Sequence, residues 1–483
     1  MSPRLVAQRL RAAAPRSRNA KGRVKDKGMY RRRHHFYLPL LAAAAAATVA
    51  LQSIALATTA IDWRGDLEFL RVEAPKAHVN LFHDLTPIAF NAAIDDLEKR
   101  SGGLTDAAIV TEIGRIIASV HDAHSGLDSA PSALRSRFLP LKLYAYSDGV
   151  FIQSTDRAHE AYAGARVLAI GGTPIEEAMK RAASITSASN SMTLADFAPL
   201  VLSRADTLAA LGVIPDPERV SFRLQVGGAE REVVFEPLPR DATGAPGKGG
   251  FWMYLGPAPG SDWADAQRFG ARPLWLEHQQ EPYWFQHLKK ENALYVQCNF
   301  VANRSDLAEM LAHVGMRAPA GAGAAAAQET FVGFFTRAIR YAEAHRIERF
   351  ILDLRLNGGG DNTVLRPVIH ALIRSDQVNR KGHFFALIGR RTQSAAQNFV
   401  NFLELDTNVT VIGEPGGERP NMFGDPASIT LPSSNIAITL STLHWQDMGP
   451  LDRRDATMPA ISVSPSSSDY ALGRDPVLER ALR

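Results

Sequence analysis

Apolar residues recur at helical spacing in the region that follows residue 60. One row of them occupies the i, i+4, i+7, i+8 and i+11 positions of a helix face and consists of Ile109, Ile113, Ile116, Ile117 and Val120. Thr105 and Asp106 precede this row, where their side chains can accept hydrogen bonds from the free amides of a first helical turn. The pattern predicts a helical lead-in domain over residues 61–135.

A shorter, strand-like period runs through residues 138–237. The predicted elements are strands at Gly149–Gln153 and Ala165–Ile170, a helix at Ile175–Lys180, and a hairpin from Val220 to Phe235 that turns at Gly227-Gly228. Paired glycines between two apolar runs are typical of a tight hairpin turn. These features predict a β-rich domain.

Residues 238–270 are rich in Gly and Pro, which indicates a linker or surface loop. Strands then alternate with helices over residues 271–483. Strands are predicted at Leu294–Cys298, Phe350–Leu354, Phe384–Ile388 and Val409–Ile412, helices at Glu329–His345 and Ser394–Leu405, and a late hairpin from Ile429 to Ile438. The Ala-rich stretch Ala318–Ala327 is expected to be an exposed excursion. The alternation predicts an α/β domain with a covered sheet.

The first sixty residues indicate export. Residues 1–35 hold twelve Lys and Arg against one Asp, and Phe36–Ala60 carries no charge and is long enough to span a bilayer. Ala55-Leu56-Ala57 is typical of a signal-peptide cleavage site, so a cleaved signal and a retained membrane anchor both stay open. A soluble Ala-rich helix is disfavoured because the stretch has no polar face. We expect an exported protein, periplasmic or otherwise extracytoplasmic, and anchored to the inner membrane if the segment is kept.

Composition narrows the class of protein. Of the 483 residues 46% are hydrophobic and 22% are charged, which excludes a disordered or disulfide-stapled chain. The net charge of +4 arises in the basic head, because 42 Lys and Arg stand against 49 Asp and Glu after it. The folded part is therefore mildly acidic, and nucleic acid is not an expected partner. The single cysteine, Cys298, lies in an apolar run and is expected to be buried.

Two junctions between a strand and a loop could carry chemistry. The strand Phe350–Leu354 runs into a loop with three consecutive glycines, Gly358-Gly359-Gly360, whose bare amides another group could approach closely. The loop has no Gly-Lys-Ser/Thr or Gly-x-Gly-x-x-Gly pattern, so a phosphate site is not indicated. An ordinary turn remains an equally good interpretation.

The second junction places Ser394 after the strand Phe384–Ile388 and at the start of a helix. Free amides and the positive end of the helix dipole would there stabilise an alkoxide and a developing oxyanion. The common alternative is a Ser that only caps the helix. A nucleophilic Ser also needs a base, for which His124 is a candidate, although an isolated histidine in a surface loop is the simpler interpretation.

Together, several segments resemble the tail-specific or C-terminal-processing serine peptidases, a family that includes the tricorn protease core and the retinoid-binding-protein-like modules. The segments are Asp122-Ala123-His124-Ser125, Asp353-Leu354-Arg355-Leu356-Asn357-Gly358-Gly359, Thr392-Gln393-Ser394-Ala395-Ala396, Gly413-Glu414-Pro415-Gly416-Gly417, Pro459-Ala460-Ile461 and Gly473-Arg474-Asp475-Pro476. The first resembles the family's Asp-Gly-His-Thr segment. The resemblance covers roughly Asp62 to Arg483 and rests on the order and spacing of the segments.

The resemblance implies a crotonase/ClpP-like α/β catalytic domain, a PDZ-like domain at residues 138–237 and a helical N-terminal domain. It also implies that Ser394 is the nucleophile and His124 its base. The oxyanion hole would consist of the Ala395 amide and the amide of Gly358 or Gly359.

The identity of the base depends on which branch of the family is the right comparison. Bacterial members pair the Ser with a Lys about 25 residues later, where this chain has Arg419. Arginine stays protonated and cannot accept the serine proton, so a histidine base is favoured. The tricorn-like branch adds a carboxylate, for which Asp452 is the preferred match while Asp447 and Asp455 stay open. Ala460 replaces an Asp that is usual in the family.

The expected function is therefore an exported serine peptidase that hydrolyses peptide bonds through an acid-assisted Ser–His acyl-enzyme mechanism. Its substrate would be a polypeptide, presented on an exposed strand edge of the β-rich domain, and no metal or cofactor is expected. The alternative is a non-catalytic module that binds a lipid or peptide on the same fold. A scaffold recruited through the PDZ-like domain is a third possibility.

Overall fold

The computed structural model of this protein describes residues 60–239, 255–257, 261–307, 309 and 329–483. The basic head, nearly all of the uncharged stretch Phe36–Ala60, much of the Gly/Pro-rich segment and the Ala-rich stretch Ala318–Ala327 lie outside the described residues. Within the described ranges, no helix is both long enough and apolar enough to cross a bilayer. Ile61–Arg483 forms one compact unit.

The described elements fall into three successive parts of the chain. The first contains α1 (Trp63–Ala77), α2 (Pro87–Ser101), α3 (Asp106–Ala118) and β1 (Gly126–Ser129). The second contains β2 (Leu141–Tyr146), β3 (Gly149–Thr155), β4 (Arg166–Ile170), β5 (Thr173–Pro174), α4 (Ile175–Ala183), α5 (Ser191–Val201), α6 (Ala205–Ala210), β6 (Val220–Val226), β7 (Ala229–Phe235) and β8 (Ala264–Asp265). The third contains α7 (Leu274–Glu277), β9 (Tyr283–Leu288), β10 (Ala293–Cys298), α8 (Phe331–Ala344), β11 (Arg349–Asp353), α9 (Leu365–Arg374), β12 (Phe384–Ile388), α10 (Ala395–Asp406), β13 (Thr410–Gly413), β14 (Met422–Thr430), β15 (Ala437–Trp445), β16 (Ile461–Ser462), α11 (Ser467–Ala471) and α12 (Pro476–Ala481).

The N-terminal helices begin where side chains can cap them. The Thr86 hydroxyl accepts a hydrogen bond from the Ala89 amide at the start of α2, and the Thr105 hydroxyl accepts one from the Ala108 amide at the start of α3. Each cap satisfies an amide that has no partner within its own helix. The starting signal predicted at Thr105 is thus confirmed.

The core of these helices is completed by a hairpin from the far end of the chain. Strands β14 and β15 pair with each other and, through β15, with β1. The hairpin residues that are buried against the helices are Leu431, Ile436, Ile438 and Leu440. The sequence predicted only the part of this hairpin next to its turn, from Ile429 to Ile438. The rest of β14 was not predicted because its residues do not alternate between buried and exposed positions.

The second part of the chain combines strands with helices. Its strands run in the order β2-β3-β4-β6-β7, with β5 beside β4 and β8 beside β3. The hairpin between β6 and β7 turns at Gly227 and Gly228, whose positive φ angles of 57° and 85° suit a tight turn of this kind. The hairpin predicted from the sequence is confirmed.

The third part of the chain contains a six-stranded sheet with the order β16-β13-β12-β11-β10-β9. All neighbours in it are parallel except β9, which runs antiparallel to β10. Every residue of β10 is buried, because α8, α9 and α10 cover one face of the sheet and α12 the other. The predicted α/β class is confirmed.

This sheet determines where the candidate site can form. Asp353 at the end of β11 lies beside Leu387 near the end of β12. Because both strands are parallel, the Gly-rich loop and the segment that leads to Ser394 leave the sheet from the same edge. Residues that are some forty positions apart are thereby brought together.

A buried carboxylate joins the helical region to the β14–β15 hairpin, and its loss should destabilise the fold. Asp66 has no exposed surface, and its two oxygens accept hydrogen bonds from the Ser433 and Ser434 amides at 2.7 and 2.9 Å. We expect Asp66→Asn to lower the free energy of unfolding by about 2 kcal/mol, since hydrogen bonds to a buried charge are lost. Urea-induced unfolding followed by circular dichroism measures the change.

The matched control is Asp95→Asn. Asp95 forms an ion pair with Arg71, but its side chain is 53% exposed, so we expect a loss of no more than about 0.5 kcal/mol. Equal losses in the two variants would contradict the role assigned to Asp66.

Candidate active site

Ser394 lies in a strained turn between β12 and α10. Its φ and ψ angles are 52° and −129°, a region that a residue with a side chain rarely adopts. Its hydroxyl makes no capping hydrogen bond to the helix. The interpretation of Ser394 as an ordinary helix cap is therefore wrong. Its side chain is left available at the edge of the sheet where β12 ends.

The Gly-rich loop passes directly against Ser394. A Cβ atom on Gly359 would lie 2.5 Å from Ser394 Cβ, 2.9 Å from its Oγ and 3.0 Å from the Ala395 amide nitrogen. Gly359 also has a φ of 115°, which disfavours any residue with a side chain. The loop is thus more than an ordinary turn, since only glycine allows this approach.

Buried side chains hold the Gly-rich loop in place. The Asn357 amide group donates to the Cys298 carbonyl at 3.0 Å, and its oxygen accepts a hydrogen bond from the Gly359 amide at 2.9 Å. Cys298 is buried as the sequence predicted, and burial raises the pKa of its thiol. A thiolate nucleophile at Cys298 is accordingly disfavoured.

Two amides near Ser394 have no acceptor among the described residues. One is the Ala395 amide in the first turn of α10, and the other is the Gly358 amide. The Gly359 amide differs, because it is engaged with Asn357. Of the two glycines left open by the sequence, Gly358 therefore has the free donor.

His124 lies in the loop that follows α3, and Asp122 shapes that loop. The Asp122 carboxylate accepts the His124 amide at 2.9 Å and the hydroxyls of Ser125 and Ser441 at 2.5 and 2.6 Å. Its Oδ2 also lies 3.2 Å from His78 Nε2. The loop is thereby tied to β15 and to the end of α1.

Electrostatics keep Asp122 ionised. Burial by itself raises the pKa of the Asp122 carboxyl, but the hydrogen bond with His78, the charge that His124 can carry and two serine hydroxyls outweigh burial. The net result is a pKa well below the usual range. A permanent negative charge therefore lies next to the His124 loop.

The carboxylate that faces His124 belongs to Glu418. Glu418 Oε1 is 3.7 Å from His124 Nδ1, and this ring nitrogen is buried with no hydrogen-bond partner among the described residues. Glu418 Oε2 accepts the Ser394 amide at 3.2 Å. One fully buried carboxylate therefore contacts the backbone of Ser394 and lies beside the ring of His124.

Opposing influences act on the pKa of Glu418. Burial raises the pKa of Glu418, and the negative charge of Asp122 acts in the same direction. The charge that His124 can carry and the hydrogen bonds from Ser189 and Ser394 lower it, but the net pKa is still raised. Nearby cationic charge thus favours the ionised form.

In the described part of the chain, no group of three His, Cys, Asp or Glu residues is arranged to hold a metal ion.

The three carboxylates considered from the sequence contact other partners. Asp452 accepts hydrogen bonds from Arg454, which lower the pKa of its carboxyl, and Asp447 accepts them from Asn398 and Asn401. Asp455 is 82% exposed and lies 3.6 Å from Arg419. None of the three has a described contact with His124, whereas Glu418 lies beside its ring.

Glu418 is not among the site residues predicted from the sequence. Glu418 directly follows the segment Gly413-Glu414-Pro415-Gly416-Gly417 and directly precedes Arg419. The Arg419 side chain forms an ion pair with Asp84 at 3.4 Å.

The exposed strand edge expected to receive a peptide is not found at β2. Most residues of this edge strand are buried, and α5 packs along it. Arg390 also donates hydrogen bonds to the carbonyls of Ala145 in β2 and Ala195 in α5, at 2.6 and 3.4 Å. The Arg390 side chain therefore covers part of this edge, whereas most residues of β7, the other edge strand of the sheet, are exposed.

The contact between the Gly-rich loop and Ser394 generates a test. We expect Gly359→Ala to lower the free energy of unfolding by about 2 kcal/mol or more, because the new Cβ is strained and meets Ser394. Gly358→Ala is the matched control, since a Cβ there has no neighbour within 4 Å, and its effect should stay within about 0.5 kcal/mol. Urea unfolding measures both, and equal effects would contradict the described approach.

Comparisons with known proteins bear on the fold. No protein-family model matches the sequence, and no curated protein matches it. Among solved structures, mature CPAF complexed with lactacystin is 13% identical over 87% of this chain and 97% of that chain, with a TM-score of 0.58. Mature CPAF alone is also 13% identical, over 87% of this chain and 96% of that chain, with a TM-score of 0.57.

A photosystem II D1 C-terminal processing protease is matched with 13% identity over 86% of this chain and 98% of that chain. Its TM-score of 0.35 is too low to support an argument. The two structures of CPAF establish a shared fold, which agrees with the motifs found in the sequence. The likeness to CPAF concerns the fold.

Proposed function

We propose that this protein is a serine-type peptidase in which Ser394, His124 and Glu418 form the catalytic triad. The observation that carries the proposal is the position of Glu418, whose carboxylate accepts the Ser394 amide and faces His124 Nδ1. A buried acid beside the base, together with a nucleophile held in a strained turn, is the arrangement that acyl transfer requires. In this proposal Glu418, and not Asp452, is the acid.

Acylation follows from these positions. His124 accepts the proton of the Ser394 hydroxyl, and the Ser394 Oγ attacks the carbonyl carbon of the scissile peptide bond. A tetrahedral intermediate forms whose former carbonyl oxygen is negatively charged. When it collapses, the carbon–nitrogen bond breaks, His124 gives its proton to the departing amine, and the acyl group remains on Ser394.

The negative oxygen needs donors that are already in place. The Ala395 amide and the Gly358 amide are the proposed oxyanion hole, because neither has an acceptor among the described residues. The positive end of α10 adds to the stabilisation. Losing one such donor commonly costs about 100- to 1,000-fold in rate.

Deacylation reverses these roles with water in place of the amine. His124 takes a proton from water, the resulting oxygen attacks the acyl carbon, and Ser394 leaves with the proton returned by His124. The ionised form of Glu418 stabilises the positive charge on His124. The products are an amine from the first step and a carboxylic acid from the second.

The substrate class and location extend the proposal. We infer a polypeptide substrate, a crotonase/ClpP-like catalytic region after residue 271, and a PDZ-like region at residues 138–237. The basic residues and the uncharged stretch Phe36–Ala60 support action outside the cytoplasm. A non-catalytic module that binds a lipid or peptide on the same fold is the competing function, and the labelling experiment below separates the two.

Labelling with a fluorophosphonate probe tests the nucleophile and base. We expect the full-length protein to be labelled, Ser394→Ala to give no labelling, and His124→Ala to be labelled roughly 1,000-fold more slowly because the serine loses its base. His121→Ala is the matched control from the same loop. Its side chain is 60% exposed and its nearest charge is Asp84, 3.9 Å away.

Intact-protein mass spectrometry records the labelling. No labelling of the full-length protein, or labelling that persists in Ser394→Ala, rules out the proposed peptidase and favours a binding module. Equal loss in His121→Ala and His124→Ala would point to a general disturbance of the loop.

A second comparison tests the identity of the acid. We expect Glu418→Gln to slow labelling roughly 1,000-fold, because the amide cannot stabilise the positive charge on His124. Asp452→Asn should change the rate by less than about threefold, since Asp452 contacts Arg454. Initial rates of probe incorporation, with circular dichroism to confirm folding, provide the measurement. The opposite ranking would return the role of the acid to Asp452.

A further inference from the structure

The turn before α5 reaches into the candidate active site. The Ser189 hydroxyl donates a hydrogen bond to Glu418 Oε1 at 2.7 Å and accepts one from the Ala123 amide at 3.2 Å. Ser189 is only 6% exposed. One side chain therefore touches both the catalytic carboxylate and the loop that carries His124.

The turn itself is firmly held. Asn190 caps α5 by accepting the amides of Met192 and Thr193, and its side-chain amide donates to the Gly416 carbonyl at 3.0 Å. The Thr193 hydroxyl donates to the Gly417 carbonyl. Together with the hydrogen bond from Ser189 to Glu418, these two contacts join the start of α5 to Gly416, Gly417 and Glu418.

We propose that Ser189 is a positioning residue that orients the Glu418 carboxylate toward His124 and couples the β-rich part of the protein to the triad. The inference rests on the proposed function, in which Glu418 is the acid. Ser189 does not touch the substrate or the reacting atoms. It acts through the oxygen of Glu418 that lies 3.7 Å from His124 Nδ1.

The chemistry explains why this hydroxyl matters. Glu418 is fully buried, and a buried carboxylate needs donors to remain ionised. The structure supplies two neutral donors, the Ser189 hydroxyl at Oε1 and the Ser394 amide at Oε2. Without Ser189, Oε1 would keep no neutral donor and would be free to turn away from His124.

The surrounding charges set the direction of the effect. His124 and Asp122 are the charged groups that act on Glu418, while Arg419 is directed to Asp84 and Asp455 at the rim. Ser189 lowers the pKa of Glu418, so its removal raises that pKa further. Because Glu418 must be ionised to support His124, the loss of the hydroxyl moves the acid side of the activity profile to higher pH.

The test is the rate of fluorophosphonate labelling of the full-length protein, measured from pH 5 to pH 9. For Ser189→Ala we expect labelling about tenfold slower at neutral pH, with the midpoint of the acid side raised by about one pH unit, the size expected for one hydrogen bond to a charged group. Ser189→Thr, which keeps the hydroxyl, should restore most of the rate and the original midpoint.

The matched control is Ser187→Ala on the same turn. Ser187 lies near Gly126, since a Cβ atom added to Gly126 would be 3.4 Å from the Ser187 hydroxyl oxygen. Ser187 has no described contact with Glu418. Its rate and midpoint should equal those of the unaltered protein. If circular dichroism shows that Ser189→Ala does not fold, Ser189→Cys makes the same test with a weaker donor of similar size and should shift the midpoint in the same direction.

The outcomes separate this inference from the proposed function. Labelling that fails in the unaltered protein, or that does not require Ser394, overturns the function itself. Labelling that requires Ser394 but has the same midpoint in the folded Ser189 variants overturns only the role of Ser189. A slower rate without a change in midpoint has the same consequence, because it shows a purely structural contribution.

Discussion

A carboxylate without any exposed surface is the constraint around which the candidate site is arranged. Keeping Glu418 ionised inside the protein costs on the order of several kcal/mol unless donors and opposite charge surround it. The Ser189 hydroxyl and the Ser394 amide are those donors, and His124 is the group that can carry the charge. They belong to three separate parts of the chain, so the carboxylate gains these partners only once these parts have come together.

The sheet and the glycines make this meeting possible. Parallel strands β11 and β12 release the Gly-rich loop and the Ser394 segment at one edge, and Gly359 has no side chain to keep them apart. The strained backbone of Ser394 persists because α10 is packed firmly behind it. On the opposite side, Asp122 fixes the His124 loop to β15 and the end of α1. The helical region is thus a structural partner of the site.

Much of this arrangement could be predicted from short stretches of sequence. Ser394 was recognisable because a strand ends just before it and a helix begins just after it, and His124 because it follows a helix in a recognisable segment. Glu418 was not recognisable in this way, because no local pattern separates the glutamate that lies beside His124 from any other glutamate. The partners of Asp122 were hidden for a similar reason, since Ser441 lies 319 positions away along the chain.

Periodicity along the chain was enough to indicate the α/β class, the β6–β7 hairpin and the elements that flank Ser394, because helices and strands depend on neighbouring residues. Three features required the three-dimensional structure: the position of Glu418 beside His124, the contacts of α5 and Arg390 with β2, and the use of the β14–β15 hairpin to complete the helical core. Each of these is a contact between segments far apart in the chain. Burial and charge pairing at such contacts arise only when distant parts of the chain pack together. No local sequence pattern can therefore predict them.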